Sequence, residues 1–260
     1  MIIKSFKLFE SLQQLTDDLI LHGDLQDIMK ELHSVRYDEI GEKLTKIINR
    51  FQTDVDYDTP KDWFEDEQYK SFMDYFKRKL SEYKFDEIKS QKIQLAIPCE
   101  CKIESIGDIS DTSSILRLKK DAPNVIEDLK SYGVRNTDTL QFVNMKLLKC
   151  FYHRVHSPIS GKVLNLQSIE SGDNFFGDNT LWIVTISSEN NGLVYLLLVG
   201  ELSIQDFQFK IKKDDNISMF QEIGNFDWGS QVILIFNPSK FKNEMGVVED
   251  QKYFIGDKIF

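Results

Sequence analysis

Four histidines occur in 260 residues, and two of them, His153 and His156, stand three positions apart in FYHRVHSP, just before Pro158. Imidazole titrates near neutral pH, so it can take a proton from a hydroxyl and return one to a carbanion. In an extended segment, residues three apart face opposite sides, whereas an irregular approach to Pro158 could aim both rings at one pocket. Far along the chain, Gly229-Ser230 opens the run FDWGSQVILIF. One reading of that pair is a tight turn, because Gly tolerates backbone angles that other residues avoid. The other reading is chemical. A serine hydroxyl can attack the carbonyl of the residue before it and convert the amide into an ester, given a base, an exposed Gly carbonyl and donors for the oxyanion. β-Elimination and hydrolysis of the resulting dehydroalanine leave a pyruvoyl group on the new N-terminus. Its carbonyl forms a Schiff base with an amine and accepts the electron pair left by a departing carboxylate.

The elements that must position these residues change character along the chain. The first third reads as helical. In LFESLQQLTDDLILHG, Leu8, Leu12, Leu15 and Leu19 recur at helical steps and Gly23 is a stop; YDEIGEKLTKIINRF repeats the pattern. An acidic, Pro-containing break over 54–62 precedes a third expected helix, EQYKSFMDYFKRKLSEY, with Phe72, Tyr75, Phe76 and Leu80 on one face. From Lys92 onward, short β-rich runs alternate with turn signals: KIQLAIP, KVLNLQSI, LWIVTIS, GLVYLLLVG, FQFKIKK, SQVILIF and KYFIGDKIF. NVIEDLKSYG reads as a short helix closed by Gly133, and LVYLLLVG suits a strand buried on both faces. IPCECKIESI and SPISGKVLNL echo one another, each with a Pro five residues before a β-branched residue, so two hairpins related by a pseudo-twofold axis are expected alongside chance similarity. The fold class is α+β: an N-terminal helical extension over 1–60, then a β-rich catalytic domain over 61–260 with pseudo-twofold related hairpins.

Composition narrows the partners. The net charge of -10 opposes nucleic acid, which rewards basic surfaces. No apolar stretch approaches the roughly 20 residues of a membrane-spanning helix, and no secretory signal is evident. Cys99, Cys101 and Cys150 are odd in number, which points to a reducing, cytoplasmic compartment. Cys99-x-Cys101 with His153 and His156 lacks the spacing of a zinc site, so no metal is expected. In MIIKSFKLF, Ile2, Ile3, Phe6 and Phe9 lie near one helical face with Lys4 and Lys7 beside them, which suits a core-packing helix or peripheral contact with a membrane.

Five blocks, in order, resemble the phosphatidylserine decarboxylase family of self-cleaving, pyruvoyl-dependent proenzymes. YKSFMDYFKRKL resembles its F-x-x-F-F-x-R-x-L helix, and FYHRVHSPISGKV its Y-H-R-x-H-x-P-x-x-G-x-V block. LVYLLLVGELSI resembles V-x-x-V-x-V-G-A, QEIGNFDWGSQVILIF resembles E-x-G-x-F-x-x-G-S-T-V-V-x-L-F, and VVEDQKYFIGDKIF the closing block. The resemblance covers roughly 69–260.

It implies cleavage between Gly229 and Ser230, giving a β chain to residue 229 and an α chain, 230–260, that begins with a covalent pyruvoyl group made from Ser230. It also implies that His156 is the base for self-cleavage, that His153 binds substrate or protonates the decarboxylated carbon, and that Glu100 orients His156. The family's turn reads S-P-x-D-G; here Glu100 stands for Asp and Cys101 for Gly, and Gln231 follows Ser230 where Thr is usual. Glu201-Leu202 also departs from the residues that usually follow V-G-A. The implied substrate is phosphatidylserine. A free, aromatic amino acid decarboxylated by a soluble relative is the alternative, with Trp182 and Phe175-Phe176 as candidate pocket residues. A non-catalytic binding protein is a third reading. A homodimer is expected from exposed strand edges.

Overall fold

Alternating apolar residues in the second half of the chain become an eight-stranded antiparallel sheet. The computed structural model describes residues 17–24, 28, 42–54, 56–65, 69, 71–111, 125–170, 172–173, 175–176, 179–200, 207–227 and 230–260. These divide into two compact units, one within 1–84 together with 149–152, the other comprising 85–148 and 153–260. The class is α+β, with helices first and the β-rich part after. Segment 1–9, Gly229 and Glu201-Leu202 lie outside the described residues, and Ser230 is described by its backbone.

In the first unit, helix α1 is Asp17–His22 and α2 is Glu42–Gln52. The i, i+3, i+7 residues Leu44, Ile47 and Phe51 are buried. Phe51 meets the Phe72 ring at 5.0 Å between centroids. The single helix expected over this stretch is broken in two: α3 is Phe72–Phe76 and α4 is Glu82–Lys89. Between them the backbone turns its hydrogen bonds elsewhere. Glu65 N–H donates to the Lys79 carbonyl (2.9 Å) and Ser81 N–H to that of Trp63 (2.8 Å), so Leu80 bridges Phe64 instead of continuing the helix. Arg78 follows α3, buried, 4.5 Å from the Phe64 ring and donating to the Cys150 carbonyl at 2.9 Å.

Among the described residues the second unit holds eleven strands: β1 Cys101–Asp108, β2 Gln141–Leu147, β3 Arg154–His156, β4 Gly161–Ile169, β5 Leu181–Ser188, β6 Gly192–Gly200, β7 Phe207–Phe209, β8 Asn216–Ile217, β9 Glu222–Phe226, β10 Ser230–Phe236 and β11 Lys252–Tyr253. The large sheet runs β11-β1-β2-β10-β6-β5-β4-β8, and β3-β9-β7 form a small one. Helix α5, Val125–Ser131, ends before Gly133 at φ +91°, as its sequence predicts. β6 is buried on both faces: Val194, Leu196 and Leu198 enter one apolar cluster with residues of the small sheet, while Tyr195, Leu197 and Val199 enter another with α5. Segment 92–98 is not a ladder strand; its one β-bridge joins Ala96 to Lys258.

The strand order is symmetric about its centre, and the two echoing segments occupy equivalent places in it. Ala96 N–H donates to the Pro158 carbonyl (3.0 Å), and His156 N–H to that of Pro98 (2.8 Å). Ile97 exchanges bonds with Asp257 and Gly256 as Ser157 does with Gln221 and Phe220. Ile103 does so with 250–251 as Val163 does with 214–215. Each repeat carries a bulge at the same place, between Ile103 and Ser105 in β1 and between Val163 and Asn165 in β4. The pseudo-twofold axis thus passes between the segments that contain Glu100 and His156.

Candidate active site

β3 carries the histidine pair into the small sheet. His156 lies on the strand and His153 just before it, both buried. Arg154 pairs with Asn225 and His156 with Glu222, around a bulge, so these four side chains share one face. Gln208 of β7 pairs with Asn225 and joins the same face. The opposite face, with Val155, Phe207 and Phe226, packs on the core. Gly224 is required by that packing: a Cβ there would lie 2.5 Å from the Phe207 ring.

His156 is fixed by a backbone acceptor. Its Nδ1 lies 2.7 Å from the Phe220 carbonyl. A carbonyl can only accept, so Nδ1 carries the proton and the neutral ring keeps its lone pair on Nε2. Burial pushes the imidazole down to about 4, against the opposing pull of the Phe220 hydrogen bond and of Glu222. The ring is therefore an uncharged base at neutral pH. Phe220 itself sits at φ +67°, a left-handed angle that few bulky residues adopt and that aims its carbonyl at the ring.

A charge network flanks the ring. Arg154 Nη1 is 2.6 Å from Glu222 Oε1, and Lys210 Nζ is 2.8 Å from Oε2. Burial raises the Glu222 carboxyl, but the hydrogen bonds and charges of Lys210 and Arg154 outweigh it and hold the group low. Sequence reasoning missed Phe220, Glu222 and Lys210. The signal for Lys210 was the alternation of Gln208 and Lys210 with apolar neighbours in FQFKI, and for Glu222 the single charge in QEIGNF, legible once β3, β7 and β9 are known to be neighbours.

Ser230 opens β10, paired with Leu147 on one side and Gly200 on the other. The chain reaches it from β9, the strand paired with that of His156. Phe226 N–H donates to the His153 carbonyl at 3.0 Å, and the four residues from Phe226 to Ser230 can span at most ~14 Å. Gln231, the residue after Ser230, donates to Asn144 of β2. Glu100 is buried. It stands two residues after Pro98, whose carbonyl accepts from His156. Cys99 and Cys101, its neighbours, are buried free thiols, and burial with the adjacent Cys99 pushes Cys101 well up. Trp182 and Phe175-Phe176 do not line one pocket. Trp182 packs against Phe207 in one core cluster while Phe175 and Phe176 belong to the cluster on the other face of the sheet.

Comparison with known proteins identifies a family. The family model described as phosphatidylserine decarboxylase matches residues 72–260. A phosphatidylserine decarboxylase proenzyme 2 of Komagataella phaffii is 25% identical over 191 residues, which are 67% of this chain but only 19% of that protein. The Saccharomyces cerevisiae proenzyme 2 is likewise matched over 16% of its length. Bacterial proenzymes match over more of their length: that of a Geobacillus species is 24% identical, covering 66% of this chain and 70% of its own, and that of Bacillus cereus is 23% identical, covering 74% and 77%. The chain therefore belongs to the phosphatidylserine decarboxylase family.

Proposed function

We propose that the chain is a self-cleaving decarboxylase that converts phosphatidylserine to phosphatidylethanolamine and carbon dioxide. The observation that carries this reading is His156: buried, neutral, its tautomer set by the Phe220 carbonyl, on a strand next to the one that leads to Ser230. The residues suit a pyruvoyl group made at position 230. A glycine precedes the serine, His156 offers an uncharged imidazole on the strand paired with β9, and β10 is hydrogen-bonded on both sides. Those ladders, with buried Val232, Leu234, Ile255 and Phe260, would retain the 31-residue α chain after the backbone is cut.

In self-cleavage, His156 Nε2 takes the Ser230 hydroxyl proton as the oxygen bonds to the Gly229 carbonyl carbon. The carbon–nitrogen bond breaks and the proton passes to the departing amine, leaving an ester. Loss of the residue 230 α-proton expels the Gly229 carboxylate. Hydrolysis of the dehydroalanine then consumes water and releases ammonia. Glu100 acts as a positioning carboxylate that stabilises the transient imidazolium. A pyruvoyl group at position 230 would supply the carbonyl needed to condense with a substrate amine and to accept the electron pair freed with carbon dioxide. His153 holds the proton that returns to the substrate carbon.

Denaturing electrophoresis and mass spectrometry test this reading. Wild type should release an α chain of 31 residues, and Ser230→Ala should not. Purified processed protein should then liberate carbon dioxide from phosphatidylserine vesicles in preference to a panel of free amino acids. An intact wild-type chain indistinguishable from Ser230→Ala would overturn the proposal.

A further inference from the structure

The polar face of the small sheet holds a buried donor with no hydrogen-bond partner among the described residues. Asn225 is 4% exposed, and its Nδ2 has no hydrogen-bond partner among the described residues. Its neighbours on that face are engaged. Arg154 and Lys210 hold Glu222, and Gln208 donates to Asp227 at 3.2 Å. A buried donor left unpaired is rare and costs free energy, so a group that completes it binds with that cost returned. Asn225 also lies where such a group would matter. It is on the His156 face, one residue before the strand bond to His153 and five before Ser230.

We propose that Asn225 binds the substrate's α-carboxylate, Nδ2 donating to one carboxylate oxygen; this rests on the decarboxylase reading above. The carboxylate is an acceptor without a donor, which is what a lone N–H requires. It is also the group that loses its charge in the reaction. A guanidinium there would hold the charged ground state more tightly than the transition state and so slow the step. A neutral amide orients the same oxygen with less of that penalty. The decarboxylated amine has no group for Asn225, which favours its release. The carboxylate is common to a lipid headgroup and a free amino acid, so the test carries both.

Asn225→Asp keeps the shape, removes the donor and adds a repelling charge; Asn225→Ala removes the side chain. α-Chain release is measured first in wild type and both variants. The processed proteins are then titrated with four amines, each trapped by borohydride reduction and read as mass added to the α chain. These are phosphatidylserine and phosphatidylethanolamine in detergent micelles, and free serine and ethanolamine. We expect normal release in both variants and a rise of about tenfold in the half-saturating concentration of the carboxylate-bearing amine, the scale of one hydrogen bond to a charged group. The amine without a carboxylate should titrate as in wild type. The lipid and free pairs show which source is used. Equal weakening of both members of a pair, no weakening of either, or loss of α-chain release in both variants overturns the proposal. Wild type that releases an α chain yet traps none of the four overturns the decarboxylase reading itself.

Discussion

The two repeats of the large sheet, 96–108 with 250–257 and 156–168 with 214–221, share a backbone and differ in chemistry. Their hydrogen bonds, bulges and left-handed turns correspond one for one. Asp250 and Asp214 both have positive φ, as do Gly256 and Phe220. At the position where one repeat carries His156 paired with Glu222, the other carries Ala96 bridged to Lys258. Where one has Glu100, the other has Ser160, whose hydroxyl accepts from Met219 N–H at 2.8 Å. The difference teaches that turns and bulges set the framework twice over, while the reactive groups are single side chains placed on one copy or the other. The proposed base comes from one repeat and its proposed positioning carboxylate from the second, and the two segments are joined by the bond from His156 N–H to the Pro98 carbonyl.

That comparison can be broken by substitution. The largest effect is expected at the base. His156→Ala should slow α-chain release by about 10²–10⁴-fold, the usual worth of a positioned proton acceptor, whereas Lys258→Ala in the other repeat should leave release unchanged. Next, Glu100→Gln should slow release by roughly ten- to a hundredfold, the worth of one interaction with a charged group lost from the transient imidazolium. Ser160→Ala should leave release unchanged and cost about 1 kcal/mol in urea unfolding for the lost hydrogen bond.

Stability should also be asymmetric with pH. The His156 ring is held down to about 4 when folded and returns to about 6.5 unfolded. Between those values the unfolded chain binds the proton and the folded chain does not, so this contribution weakens the fold as pH falls from about 6.5 to about 4, by up to ~3 kcal/mol. Above pH 7 it adds no slope. Urea midpoints at several pH values should show this, and His156→Gln should flatten the curve in that window.

Smaller still is the turn. Gly256 sits at φ +90° with an added Cβ only 2.5 Å from Ile88 Cγ2, so Gly256→Ala should cost about 2 kcal/mol. The smallest effect is expected at the matched ion pairs, Lys102 with Asp250 and Lys162 with Asp214. They are exposed, and removing either lysine should leave the unfolding midpoint where it was.

Much of the framework was legible in the chain. The apolar runs that become β4, β5, β6 and β10 were long enough to exceed turn-length ambiguity, and Gly133 marked the end of α5. The Pro-to-strand echo disclosed the repeat. The third helix was misjudged because its apolar spacing satisfies a helix while Trp63 and Glu65 compete for the backbone of Lys79 and Ser81. β3 and β9 were missed as strands because a run of three to five residues carries little periodicity, although the blocks containing them were recognised as motifs.

By itself the sequence determined the reactive residue types, the order of the motifs and the places where the chain must turn. It did so because glycine, proline and alternating apolar residues act through local sterics and burial. Only the tertiary structure decided that His156 donates its Nδ1–H to the Phe220 carbonyl, that Arg154 and Lys210 converge on Glu222, and that Asn225 stands buried beside them with a donor unpartnered among the described residues. Those facts depend on which strands lie side by side and on how much water they exclude, and neither is encoded in any one segment.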